Sequence, residues 1–310
     1  MQKQTKKTIP VFYAADENYL TYLSTSIHSL ADKASEEYNY EIYVLNAGMR
    51  RENAQPLFVY ERENLHIHLV DVSKKMQEVN HALQLRDYYT GATYYRIFIA
   101  ELFPEYEKAL YLDSDTILLG DVSELFNAEL GDNLVGAIAD GAVAAVEEFR
   151  LYTKGVLGID ASEYFNAGVL LINLNAFRKY RFYEKFCALL KAYKFSVAQD
   201  QDYLNVLCKG KVCFLGGEWN RMPITGAESQ PKLIHYNLTL KPWHYEDTLF
   251  KEYFWEYARK DYYYQRILGE LNTYTQEKRN KDAESEVALR ALCLKEVERE
   301  DNYIKRFANA

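Results

Sequence analysis
The 310 residues suffice for one large α/β domain or two modest ones, and 48% hydrophobic content with 28 Tyr and 15 Phe allows a sizeable core. The 37 basic and 45 acidic residues give a net charge of −8, which argues against nucleic acid as a general partner, since that needs a basic face. The basic start lacks the apolar core of a secretory signal, no apolar run approaches the ~20 residues of a membrane span, and Cys187, Cys208, Cys213 and Cys293 form no CxxC pair. The expectation is therefore a cytoplasmic protein with reduced, buried cysteines and at most peripheral contact with the inner face of a membrane.

In chain order, residues 9–14 (IPVFYA) read as a first strand, followed by Tyr22, Leu23, Ile27 and Leu30 at helical spacing. Residues 41–45 (EIYVL) give a second strand, 50–63 a polar helix, and 65–70 (LHIHLV) a third strand. Strand, helix, strand, helix is the pattern of a parallel, nucleotide-binding α/β half, whose ligands lie beyond the carboxyl ends of its strands. Asp16 and Asn18 fall at such an end, where they serve equally as helix-capping residues. Residues 71–92 are polar and aperiodic, reading as a loop or short helices. Residues 93–103 look helical and carry Arg96, which either snorkels at the surface or turns back to pair with a carboxylate or phosphate.

The central stretch is KALYLDSDTILLGDVSELF. Its short apolar strand, 109–112, ends at Asp113 and Asp115, two carboxylates inside an apolar run. Such charges are costly to bury unpaired. They either accept backbone hydrogen bonds in turns or hold a hard divalent cation such as Mg2+ or Mn2+. Residues 134–139 (LVGAIA) form another strand ending in Asp140, and 141–164 read as a helical or loop insertion. Asn166 and Gly168 then lead into a strand at 169–173, and 177–193 read as one amphipathic helix. Asp200, Gln201 and Asp202 crowd the first turn of a helix opening near 197, where acidic residues also complement the helix dipole. Residues 211–215 and 232–236 read as strands, the second ending at His235, a third metal donor after the two aspartates. Beyond 251 the pattern becomes long charged helices, with Val287, Ala291 and Leu294 as an apolar stripe.

Asp16 with Asn18, Asp113 with Asp115, Asp140, Asn166 and His235 thus all fall at or near strand ends, which in an open parallel sheet face one crevice. Two carboxylates and an imidazole, completed by ligand phosphates, suffice for octahedral Mn2+ or Mg2+.

At this point the chain resembles glycosyltransferase family 8, which includes bacterial lipopolysaccharide galactosyl- and glucosyltransferases and glycogenin. FYAADENYL, TYYRIFIAELFP, LYLDSDTILLGDVSELF, YFNAGVLLINL, QDQDYLN and HYNLTLKPWH follow one another in the family's order, spanning residues 9–243. The resemblance implies an α/β fold of the GT-A type: a Rossmann-like half and a mixed, mostly parallel sheet, with catalysis in 1–250 and a helical region, 251–310, packed against it. It implies retaining transfer of galactose or glucose from a UDP-sugar to a glycan, glycoprotein or glycolipid hydroxyl. A non-catalytic UDP-sugar-binding or scaffold protein is the alternative. Asp113, Asp115 and His235 would bind Mn2+ (Mg2+ in its place), and Ala14, Ala15, Asp16, Asn18, Tyr19 and Ser114 would line the nucleotide with Lys241 on the diphosphate. Arg96, Asp140 and Asn166 would contact the donor sugar, Asp200 a sugar hydroxyl, and Gln201 would lie near the anomeric carbon. Loops at 84–93 and 236–243 would order over the donor. One departure stands out: the family often has Gly three residues after the histidine, and this chain has Leu238.

Overall fold
The computed structural model describes residues 6–79, 91–224 and 230–307. Seven strands form the main sheet: β1 (Thr8–Ala14), β2 (Asn39–Asn46), β3 (Leu65–Asp71), β4 (Lys108–Leu112), β6 (Val135–Ala139), β7 (Phe165–Asn173) and β8 (Val212–Phe214). Their order is β3-β2-β1-β4-β7-β6-β8, and β5 (Thr116–Leu118) pairs with β9 (Leu233–His235) in a separate small sheet. The opening half is parallel, as expected: β1 pairs with β2 and β4, and β2 with β3. The near-continuous apolar runs of β1 and β4 are what strands covered on both faces require, whereas the edge strand β3 alternates buried and exposed residues.

β7 runs antiparallel to both β4 and β6, while β6 and β8 are parallel. This reversal matters for the site. It brings the start of β7, rather than its end, beside the carboxyl ends of β1, β4 and β6. The strand expected at 169–173 begins four residues earlier, so Asn166 and Gly168 lie inside it. His235 also departs from expectation, because its strand belongs to the small sheet rather than to the main one.

The helices are α1 (Leu20–Lys33), α2 (Arg51–Ala54), α3 (Ser73–Val79), α4 (Ile99–Leu102), α5 (Val122–Phe126), α6 (Gly141–Ala145), α7 (Glu147–Tyr152), α8 (Leu174–Tyr180), α9 (Phe182–Ala192), α10 (Gln199–Cys208), α11 (Lys251–Ala258), α12 (Tyr264–Asn272), α13 (Gln276–Glu298) and α14 (Tyr303–Phe307). The helix expected at 50–63 is a single α turn continued as 3-10 helix through Gln55–Tyr60. Likewise the arginine segment is 3-10 over Gly91–Phe98 before it becomes α4. The helix expected at 177–193 is two helices, broken where Arg181 adopts a left-handed φ of 56°. The insertion 141–164 comprises α6, α7, a π turn at Thr153–Leu157 and a 3-10 turn at Ala161–Glu163.

Two apolar layers cover the main sheet. On one side α1 packs Leu20, Leu23, Ile27 and Leu30 onto Val11, Tyr13, Ile42 and Val44. On the other, Phe98, Ile99, Phe177, Phe186 and Tyr203 meet Phe12, Tyr111 and Leu170. A third cluster joins the C-terminal helices to the small sheet: Phe254, Trp255 and Ile267 surround Ile117, Ile234, Tyr236 and Trp243. Trp243 stacks on Tyr22 at 3.9 Å between ring centroids, a pairing worth roughly 0.5–1.5 kcal/mol beyond its burial. The stripe Val287, Ala291 and Leu294 is solvent-exposed instead of packed. The buried positions of α13 are Asp282, Cys293 and Glu296, and among the described residues no cysteine forms a disulfide.

Candidate active site
One cavity lies beyond the carboxyl ends of β1, β4 and β6 and the start of β7. Its walls include Ala14, Ala15, Asp16, Tyr19, Arg96, Asp113, Ser114, Asp115, Asp140, Asn166, Gln201, His235 and Lys241. Asp200 also lines it, and of the expected site residues Asn18 alone stays outside the wall, exposed on the turn before α1. Its backbone N–H and that of Tyr19 both donate to Asp16 Oδ1, at 2.9 and 3.1 Å, so Asp16 shapes this turn. Residues 84–90 of the loop expected to close on the donor lie outside the described residues.

Asp113, Asp115 and His235 bring one ligand atom each to within 4.8 Å of one another. β4 ends at the first carboxylate. The pairing of β5 with β9 sets Thr116 opposite His235, and the Tyr236 N–H donates to the Asp115 carbonyl at 2.9 Å. Two backbone ladders thereby fix residues 120 positions apart in sequence. His235 Nε2 stands 3.2 Å from Asp115 Oδ1 and 3.7 Å from Asp113 Oδ2.

The donor set suits a hard divalent cation, and the backbone leaves room for it. At Gly168 a Cβ would stand 2.6 Å from Asp113 Oδ2 and would collide with His235 Cε1. Only a residue without a side chain permits this cradle.

The His235 ring is oriented from behind. Its Nδ1 lies 3.0 Å from Asn220 Oδ1, while Asn220 Nδ2 donates to Asn166 Oδ1 at 3.0 Å. Asn166 Oδ1 also accepts the Gly168 N–H at 2.9 Å, which fixes both amide orientations. With Asn220 presenting oxygen, Nδ1–H is its donor, and Nε2 is the ring nitrogen turned toward the two carboxylates. Asn220 was not singled out from the sequence; a lone Asn after a strand carries no signal there.

Charge is balanced tightly. Arg96 is 4% exposed, so it does not snorkel: it lies over the Tyr111 ring at 4.3 Å and pairs with Asp113 and Asp200, each at 3.1 Å. Burial pushes the Asp200 carboxyl up to about 6, against the pull of the Arg96 guanidinium. Burial would likewise raise Asp115, but Lys241 and His235 outweigh it and hold that carboxyl well below the usual carboxylate range. Burial would lower the Lys241 ammonium; Asp115, to which it donates, raises it instead and keeps it charged.

At the far side, the Gln201 carboxamide is held at both ends. Its Oε1 accepts the Ala167 N–H at 2.9 Å, and Nε2 donates to Asp140 Oδ2 and the Tyr164 hydroxyl, each at 3.2 Å. Asp140 is likewise held on several sides. It caps α6 through Ala142 and Val143 N–H and accepts from Asn166 and Gln201 side chains.

The turn carrying Lys241 is clamped by the C-terminal helices. His244, on the cavity wall, stacks on Tyr274 at 4.0 Å and sets Nε2 2.9 Å from Glu270 Oε1. Tyr245 and Tyr274 both donate hydroxyls to Asp282 Oδ2, at 2.6 and 2.7 Å. Leu238, where the family often has Gly, takes a left-handed φ of 53° and is 41% exposed. The turn has kept the glycine conformation without the glycine.

The family model for Glycosyl transferase family 8 matches residues 10–247. The chain belongs to glycosyltransferase family 8. Among family relatives, a putative glycosyltransferase of Haemophilus influenzae is 28% identical over 70% of this chain, which spans only 64% of that relative's length. Lipopolysaccharide 1,2-glucosyltransferase of Escherichia coli K12 is 29% identical over 77% of this chain and 74% of its own. The solved structure of the galactosyltransferase LgtC with donor and acceptor sugar analogs superposes with a TM-score of 0.64 at 28% identity, covering 88% of this chain and all of that one. The fold is accordingly the GT-A arrangement that the family motifs implied. Helices α11 to α14 lie beyond the family match, although Asp282 and Leu289 of α13 reach the cavity.

Proposed function
We propose that this chain is a retaining, metal-dependent hexosyltransferase that moves glucose or galactose from a UDP-sugar to a hydroxyl of a glycan or glycoconjugate. The observation that carries the reading is the convergence, in one cavity, of the Asp113–Asp115–His235 cradle, the Lys241 ammonium and the clamped Gln201 carboxamide. Catalysis is assigned to 1–250, with the helical region 251–310 packed on it, in the cytoplasm.

Asp113, Asp115 and His235 would hold Mn2+ or Mg2+, and the bound ion supplies Lewis-acid neutralisation of a diphosphate. Ala14, Ala15, Asp16, Tyr19 and Ser114 form the nucleotide wall. Lys241 stabilises negative charge growing on the departing UDP. Arg96 pairs with Asp113 and Asp200 beside the donor sugar, and Asp140 and Asn166 hold the wall on which that sugar rests. Gln201 is a poor nucleophile, and Asp200 is committed to Arg96. The reading is therefore same-face substitution, with the acceptor hydroxyl attacking from the side that UDP leaves, rather than a covalent glycosyl-enzyme. A glycosyl adduct on Asp200, found by mass spectrometry in the parent protein or in Gln201→Glu, would overturn that preference.

The test of the function is UDP release from a panel of UDP-sugars, with Mn2+ and with chelator. Metal-dependent release from one donor, reduced at least ~100-fold in Asp115→Asn, is expected. UDP bound without any release, even with acceptor glycans present, would favour the binding-protein alternative; no UDP binding would end the reading.

A further inference from the structure
The cavity is polar on one side and apolar on the other. Its polar groups gather around Asp113, Asp200 and Gln201, whereas the side built by α6, α7, the segment before α10 and α13 presents Ala142, Val143, Phe149, Tyr152, Val197 and Leu289. Among the described residues, the polar side-chain atoms on that second side are already used. Tyr152 and Tyr164 turn their hydroxyls onto Asp202 at 2.7 and 2.8 Å, and Thr153 donates to the Arg150 carbonyl at 3.2 Å. Asp282, buried on the same wall, receives the hydroxyls of Tyr245 and Tyr274.

A second pyranose placed there would lose water from several hydroxyls and find apolar side chains in return, at a cost per unpaired group that binding seldom recovers. An alkyl or aryl group loses nothing and gains burial. We infer that the acceptor is a glycoside with an apolar aglycone, its accepting sugar beside Gln201 and its aglycone lodged against the wall formed by α6, α7 and α13. This rests on the donor reading above and extends it to the acceptor. It also gives α13, which lies beyond the family match, a part in substrate choice.

Calorimetry on the protein with UDP and Mn2+ tests it, using methyl and hexyl glycosides of glucose, galactose and N-acetylglucosamine as probes. At least one hexyl glycoside is expected to bind at least ~10-fold more tightly than its methyl counterpart. In Leu289→Asp that preference is expected to fall below ~3-fold, with UDP affinity as in the parent. Phe149→Ala gives an independent check, expected to reduce the preference even if Leu289→Asp does not fold. Equal binding of methyl and hexyl forms, no binding of any hexyl glycoside, tighter binding of a methyl disaccharide glycoside, or a preference untouched by the folded variants would each overturn the inference while leaving the donor reading intact. Failure to bind UDP at all would instead remove the donor reading, and the aglycone with it.

Discussion
Gly168 shows how one missing side chain can carry a site. Gly168→Ala forces a methyl against His235 and Asp113, so Mn2+ affinity is expected to fall roughly 10–100-fold, a loss measurable by metal titration. Asp202 poses a different question, because it is buried behind the site rather than in it. Burial pushes its carboxyl from the ordinary 3.8 to about 6, outweighing the hydrogen bonds from Tyr152, Ala198 and Tyr164. A carboxyl raised in the folded state favours folding while protonated, and that advantage is lost as pH climbs from about 4 through 6. The loss amounts to as much as about 3 kcal/mol. Asp202→Asn cannot ionise. Relative to the parent it should therefore be more stable at pH 7.5 than at pH 4.5, as read from urea midpoints at the two pH values; an unchanged difference would refute the assignment. Residue-scale legibility followed chemistry. Asp113, Asp115 and His235 were readable as candidates because two carboxylates interrupt an apolar run and an imidazole closes a later strand, the donor types a hard divalent cation takes. Asn220 was not, since nothing local separates an amide that orients a histidine from one that ends a turn.

Between elements, the decisive relation is direction. Apolar periodicity reports that a strand exists but is blind to which way it runs, so β7 was legible as a strand and its reversal was not. That reversal is what places Asn166 and Gly168 in the cavity. The three-residue strands β5 and β9 are too short to reveal their pairing, although this pairing sets His235 against Asp115. Helix α13 misled for another reason: two of its buried positions are acidic, with Asp282 accepting tyrosine hydroxyls and Glu296 pairing with Arg299 at 2.9 Å, while Val287 and Leu294 face solvent. The same packed face also carries Leu289, Leu292, Cys293 and Val297, an apolar stripe out of phase with the one expected. The clamp of α12 on the Lys241 turn makes its own prediction. Glu270→Ala releases His244 and Tyr22, and UDP affinity should drop about 5-fold, the worth of one hydrogen bond of about 1 kcal/mol. Glu270→Gln retains an acceptor and should restore most of it in the same calorimetric assay.

For the molecule as a whole, ligand binding and stability should be linked. The cavity joins elements from both ends of the chain, so a ligand spanning it favours the folded state by mass action, about 2.7 kcal/mol at 100 times its Kd. UDP with Mn2+ together should raise Tm by roughly 4–8 °C, and UDP with chelator by much less. Equal shifts with and without metal would mean that nucleotide binds independently of the Asp113–Asp115–His235 cradle. Among the described residues no helix is long and apolar enough to cross a membrane.

The 120 residues that separate Asp115 from His235 also have a meaning in time. At about 5–20 residues per second, a ribosome needs on the order of 6–24 s to synthesise that stretch. Throughout it the nascent chain displays two aspartates without their histidine, and Lys241 is made later still. Newly made protein should thus gain the proposed metal site only after residue 235 has been added, and chains stalled before it should be unable to retain an ion.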